Sequence, residues 1–290
     1  MTIILASNSY GKSAVRLLKV QRSGAQHVIR EFAVDIALTG AFAAAHTEGD
    51  NSMVLPTDTM KNTVYAKARE LTLDAREDFG LALARHFLGA SAAASSARVT
   101  VTEHGWRRLD VDGVPHEHAF ERRSSELRTA RVSLVRGGEA EVVAGIDDLL
   151  ILKSGRSGFS GYPRDRYTTL RETDDRILAT SIATHWRYRA GITAFVARFD
   201  GVRRVLLETF ADHDSKSVQH TLYAMGEAVL KQCEEVEEIS VAMPNKHHLL
   251  VDLAPVGLDN PNEIFVPTSE PYGLIEATLR RDVTKPARNA

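Results

Sequence analysis

The chain has 290 residues, 43% of them hydrophobic, enough for one large core or two ordinary ones. Its 36 basic and 38 acidic side chains leave a formal charge of −2, so no net field draws in nucleic acid or an anionic membrane, and the expected ligand is small. The single cysteine, Cys233, excludes an internal disulfide; with no N-terminal signal, no long apolar stretch and a KPARNA end that is not a peroxisomal address, the expected location is the cytoplasm.

The first patterned stretch, SYGKSAVRLLKV at 9–20, contains the triplet Gly11-Lys12-Ser13, which ends a phosphate-binding loop in other proteins. Such a loop needs a glycine five residues earlier, and Ala6 stands there. The residues that follow alternate, Ala14, Arg16, Leu18 and Val20 against Val15, Leu17 and Lys19, so Lys12 sits at the mouth of a strand where the phosphate loop needs a helix. Runs at 12–20 and 26–38, joined by the polar SGAQ, read as an antiparallel hairpin. Two helical patterns follow. One begins near Asp58; the other runs from Asp74 through Glu77, Phe79, Leu81, Leu83 and Phe87, with Asp74 and Glu77 at capping-box spacing. GASAAASSA at 89–97 reads as a loop, and RVTVTEHGW at 98–106 and ELRTARVSLVRGG at 126–138 as strands, with a turn at Gly137-Gly138.

The second half repeats this order: a hairpin near 140–153 and 183–198, helices after Asp200 and Ser215, then strands at 238–243, 247–253 and 272–282. The pattern ββααββ thus occurs twice, dividing the chain into 1–137 and 138–290. Over 217–232, Val218, Leu222, Met225, Val229 and Leu230 share one helical face and read as packing residues.

Several stretches offer chemistry. His116 and His118, two apart, share a strand face, while the adjacent His247 and His248 face opposite ways; with no HExxH and no cysteine cluster, solvated histidines are the default over a metal site. In LPTDTMKNTVYA, Thr57, Asp58 and Asn62 read as a helix cap with a first-turn acid, at a place where free amides also hold anions. SGFSGYPRDRYTTLRETDDR, 157–176, has four arginines and three aromatics: either a solvated surface, or a stacking face in Phe159 with a bidentate guanidinium in Arg176. Gln219 is an ordinary helix surface residue or an in-plane amide donor and acceptor. In SVAMPNKHHLLVDL, Pro244-Asn245 reads as hairpin-turn chemistry, or Asn245 and a histidine as a polar rim.

YGKSAVRLLKV, PTDTMKNTVYA, FSGYPRDRYTTLRETDDR, SVQHTLY, PNKHHLLVDL and DNPNEIFVP with PYGLIEATL, in this order and over nearly the whole chain, resemble the urate oxidases, the cofactor-free uricase family. Agreement is poorest over 88–115, where no functional residue is expected. The resemblance implies an α+β tunnelling fold (T-fold): two ββααββ units per chain, with antiparallel sheets of several chains closing a barrel and helices outside. It implies a homotetramer with active sites at subunit interfaces, no cofactor, and urate and dioxygen as the bound partners. Phe159 is then the stacking residue beneath the purine, Arg176 and Gln219 clamp its edges, and the backbone amides of Asp58 and Val218 complete recognition. Lys12 and Thr57 are implied as the catalytic pair, with His247 relaying protons and Asn245 holding dioxygen or water. Two alternatives stand beside this: a metal-dependent hydrolase using His116, His118 and His247, and a non-catalytic purine or pterin binder on the same fold.

Overall fold

The computed structural model describes residues 2–22 and 24–282, so KPARNA and Ser23 of the SGAQ turn lie outside the described residues. The chain divides into two compact units, Met1–Gly145 with Arg187–Phe199, and Ile146–Trp186 with Asp200–Ala290.

In the first unit β1 (Tyr10–Gln21) pairs antiparallel with β2 (Val28–Gly40), from Tyr10 against Leu38 to Gln21 against Val28. A short helix α1 (Ala43–Thr47), then α2 (Thr57–Glu70) and α3 (Arg76–Ala90), lead to β3 (Ala94–Val111) and β4 (Val114–Val135). The sheet runs β1-β2-β3-β4 and on to the start of β5 (Ala140–Lys153). Strand alternation turns Phe32, Val34, Ile36 and Leu38 of β2 inward, and helical spacing turns Phe79, Leu83 and Phe87 of α3 onto the same core. Gly80 lets α3 approach closely: a Cβ there would lie 2.9 Å from Val132 Cγ2.

Three expectations change in this unit. The capping box does not form, because α3 is capped by Ala75 without a side-chain bond, and Glu77 is fully buried. The 89–97 loop shrinks to three residues between α3 and β3, since Ala94 and Ala97 are small enough to fill the core and Thr39 Oγ1 meets Ser96 Oγ at 2.5 Å. β3 and β4 extend well past 106 and before 126, to a tight turn at Asp112-Gly113, both with positive φ (53° and 77°). Asp-Gly is the residue pair such a turn demands. The alternation that would have revealed it is broken by irregularities at His104/Trp106 and Arg108/Asp110.

The second unit holds the remainder of β5, most of β6 (Leu178–Tyr188), most of α4 (Phe195–Asp212), α5 (Val218–Gln232), β7 (Val236–Lys246), β8 (His248–Leu250), β9 (Phe265–Pro267) and β10 (Gly273–Arg280). Its sheet runs β5-β6-β7-β10, with β8 and β9 as a separate pair. α5 packs Leu222, Met225 and Val229 into a core shared with Ile239, Val241 and Met243 of β7, and a Cβ at Gly226 would lie 2.9 Å from Leu279 of β10.

β6 starts at 178 instead of 183, and α4 takes over from Phe195, whose ring, with Phe199 and Val202, repeats at helical spacing. Pro244-Asn245 is not a turn: both lie inside β7, opposite Leu274 and Gly273 of β10. The strand expected at 247–253 reduces to the three residues of β8. Among the described residues no helix is long and apolar enough to cross a membrane.

Candidate active site

The residues singled out above fall in both units. In the first unit, Lys12 is the third residue of β1 and stands immediately before a bulge: Lys12 pairs with Ile36 and Val15 with Val34, so Ser13 and Ala14 face Asp35 alone. Ala14 adopts φ 55°, and its N–H donates to Asp35 Oδ1 at 2.9 Å, which holds an otherwise unfavourable conformation in place. Gly11 is required here, because a Cβ would sit 1.7 Å from the Ile36 carbonyl oxygen. The triplet therefore forms a bulged strand entry that aims a half-buried lysine, and no phosphate loop.

Tyr10 links this strand to α2. Its hydroxyl accepts the Leu55 N–H at 2.9 Å, its ring meets Phe42 edge-on at 4.7 Å, and burial pushes its phenol pKa up. Two residues past Leu55, α2 begins with Pro56 as cap and Thr57 as its first helical residue. The cap makes no side-chain bond, so the reading of Thr57 as an N-cap does not hold, although Asp58 is the first-turn acid. Helix geometry leaves the N–H groups of Thr57 and Asp58 without intrahelical acceptors. The Asp58 carboxylate turns to its own helix, accepting from Lys61 Nζ and from Asn62 Nδ2 at 3.1 Å. Lys61 first, then Asn62 and the charge of Lys12, hold its pKa below the usual carboxylate range.

In the second unit, residues 154–177 contain no helix or long strand yet are pinned by backbone bonds. Ser215 N donates to the Arg156 carbonyl at 2.9 Å and Gly158 N to the Ser215 carbonyl at 2.8 Å. Phe159 and Thr173 exchange bonds of 2.7 and 3.1 Å, and Arg176 N donates to the Ser157 carbonyl at 2.9 Å. These bonds bring Phe159 and Arg176 together, with Arg176 Cζ 5.3 Å from the Phe159 ring centroid. Tyr162 stacks on Phe159 at 4.8 Å and 14°. Arg164, Arg166 and Arg171 are exposed, as a solvated charge run would have them, but Arg176 is half-buried. Burial lowers its guanidinium pKa, and its Nε is enclosed without a protein acceptor.

α5 starts beside this loop. Ser217 caps it, accepting His220 N at 3.1 Å, which leaves the Val218 and Gln219 N–H groups as the free donors of the first turn. Val218 is buried and Gln219 exposed. Asn245 is half-buried in β7 opposite Gly273. His247 is exposed between β7 and β8, where its carbonyl accepts Thr268 N at 2.9 Å and Thr268 Oγ1 at 3.2 Å.

The histidines expected on one strand face do lie together: the His116 and His118 rings are 4.7 Å apart and nearly perpendicular. His116 Nδ1, however, accepts the backbone N–H groups of His118 and Ala119 at 3.3 and 3.1 Å, and His247 belongs to the other unit. Among the described residues no group of three or more His, Cys, Asp or Glu is placed to hold a metal ion. Pattern reading missed Tyr10, whose hydroxyl accepts the Leu55 N–H just before Thr57, and Ser215, whose backbone bonds Arg156 and Gly158 just before Phe159. Their only sequence signal is proximity to GKS and SVQH.

A family model described as Uricase matches residues 8–133 and 142–276. The chain is 48% identical over 280 residues to the uricase of Arthrobacter globiformis, covering 97% of this chain and 91% of that protein. It is 38% identical over 292 residues to the uricase of Aspergillus flavus, covering 95% and 96%. A crystal structure of the Arthrobacter globiformis uricase superposes with TM-score 0.92 at 46% identity, over 99% of this chain and 98% of that one. A uricase structure from Bacillus fastidious gives 0.80 at 25% identity, over 95% and 94%.

Proposed function

The chain belongs to the uricase family, and we propose that its reaction is the oxidation of urate by dioxygen and water to 5-hydroxyisourate and hydrogen peroxide, on a T-fold scaffold and without a metal or organic cofactor. The observation that carries this is the Phe159–Arg176 pair: an aromatic ring, stacked on Tyr162 on one face, next to a half-buried guanidinium with an Nε still lacking an acceptor. A planar anion is the ligand that uses both, stacking on the ring and taking a bidentate fork at its edge. The Val218 amide and the Gln219 side chain lie in sequence at a helix start where a further ring edge can be read.

Urate is electron-rich and acidic, and as an anion it gives up electrons more readily. Two electrons pass from the purine to dioxygen, water adds to the oxidised ring, and two protons complete the peroxide. In this reading Lys12 takes a proton through the Thr57 hydroxyl, the Asp58 amide binds the substrate, and Arg176 neutralises the anion. Asn245 holds dioxygen or water above the ring, and His247 passes protons through water. Lys12, Thr57 and Asp58 come from the first unit and the rest from the second, and the proposal joins them across a subunit interface. β1 and β10 each have one sheet neighbour among the described strands, and an edge strand is a template for pairing with another chain. A homotetramer with interfacial sites, built from ββααββ units at 1–137 and 138–290 and working in the cytoplasm, belongs to the same proposal.

The test is oxygen uptake by purified, metal-depleted protein on adding urate, with urate absorbance followed in the same cuvette. Concerted loss of both with peroxide formed is expected. Urate binding without oxygen uptake would leave a binding module, and activity restored only by added metal would favour the histidines.

A further inference from the structure

We propose that the buried hydroxyl pair Ser215–Thr221 is the positioning device of the urate site, fixing the spacing between the Phe159 stacking face and the donors at the start of α5; this rests on the urate reading above. Both residues are fully buried. Thr221 Oγ1 donates to Ser215 Oγ at 2.8 Å, with the Ser217 carbonyl a longer second acceptor at 3.3 Å, and Ser215 Oγ donates to the same carbonyl at 3.1 Å. Thr221 thus reaches back from the first turn of α5, past Val218 and Gln219, to the residue that holds the loop.

Ser215 faces both ways. Its side chain belongs to the helix start, whereas its backbone N–H and C=O clasp Arg156 and Gly158 at 2.9 and 2.8 Å. Phe159 is the next residue along, and Arg176 is tied to Ser157 in the same clasp. Among the described residues the loop and the helix start share one isolated bridge, Ser157 with Ser215, and no extended ladder, so the spacing depends on few bonds. Gly158 adds to the fit: a Cβ there would lie 3.0 Å from the Thr173 carbonyl oxygen. On the far side, Lys153 Nζ donates to the His213 carbonyl and Arg156 to the Asp212 carbonyl at 2.6 Å, which anchors the segment to the end of α4.

Hydroxyls enclosed in this way are costly to leave unmatched, so removing one partner shifts the other. A ligand that must stack on a ring and meet in-plane donors at once loses binding contacts when the two are no longer held at one spacing, since preorganisation of the site is part of its affinity. Neither hydroxyl touches the substrate in this reading; both act through Phe159, Val218 and Gln219.

Thr221→Val keeps the shape and removes the O–H. The expected result is a rise of about tenfold in KM for urate, and in the Kd of urate measured without oxygen, with kcat unchanged and with Thr221→Ser restoring both. A folded Thr221→Val protein with wild-type KM and Kd, or with a fall in kcat at unchanged KM, overturns the positioning role. Should Thr221→Val fail to fold, Ser215→Ala carries the same expectation and the same refutation. The two readings fail separately: wild-type protein that binds urate without consuming oxygen removes the oxidase, while the comparison of Kd values still decides the positioning role.

Discussion

Lys12 owes its aim to backbone features on either side of it: a glycine pressed against Ile36, and an alanine in the left-handed region held by Asp35. Replacing Lys12 by Met keeps the methylene stem and removes the amine. Turnover should fall by about two to four orders of magnitude, the worth of a positioned proton acceptor, while anaerobic urate affinity stays near wild type. Unchanged turnover in steady-state assays would take the proton-transfer role from this residue. Arg176 is the converse case, a charge to which the proposed site gives a binding role. Arg176→Ala should weaken urate binding by about 2–5 kcal/mol, read by anaerobic titration, because it removes one partner of an enclosed charge pair. Affinity equal to wild type would show that the anion is held elsewhere.

Among the elements, the first turn of α5 carries the Ser217 cap, the Thr221–Ser215 bond and a histidine contact. His213 Nε2 lies 3.1 Å from His220 Nδ1 on that turn. Burial first, then the neighbouring His220 and Lys153, hold the His213 pKa below its usual 6.5, with Arg156 acting in the same direction and Asp214 against them. The folded protein therefore keeps His213 neutral where the unfolded chain begins to take up a proton. The stabilising contribution is complete above the unfolded value and is lost as pH falls through and below about 6.5. Denaturant midpoints should decline from about pH 8 to about pH 5.5, and His213→Gln should flatten that decline. An identical slope in the variant would remove His213 as its source. The helix starts of α2 and α5 differ in the same terms: Ser217 satisfies one donor of α5, whereas Pro56 satisfies none of α2.

For the whole molecule the decisive question is whether one site draws on two chains. In the proposed site Lys12→Met removes a group supplied by the first unit and Arg176→Ala one supplied by the second. If each site joins the first unit of one subunit to the second unit of another, mixed assemblies contain some sites with both contributions intact. Co-expression of the two variants, assayed at low urate, should then regain about a quarter of wild-type activity, as random pairing across two-fold interfaces gives. A mixture no more active than its components would place the whole site in one chain.

Period and turn chemistry were enough to place β1, β2, α2, α3 and α5, because their apolar residues repeat at 2 or 3.6 and polar breaks bound them. Six motifs in order were enough to mark the family. Where a local signal competed with packing, packing decided. Pro244-Asn245 entered β7 because β10 pairs alongside it, Glu77 was buried instead of closing a capping box, and Ala94 and Ala97 were buried in a strand that pairs with β2. The bulge at Ser13-Ala14, the clasp of Ser215 on Arg156 and Gly158, and the approach of Arg176 to Phe159 join residues 17 to 59 positions apart. No periodicity records such pairs, since their partners are chosen by the folded chain, and only the tertiary structure could show that the residue types legible in the sequence meet in these arrangements.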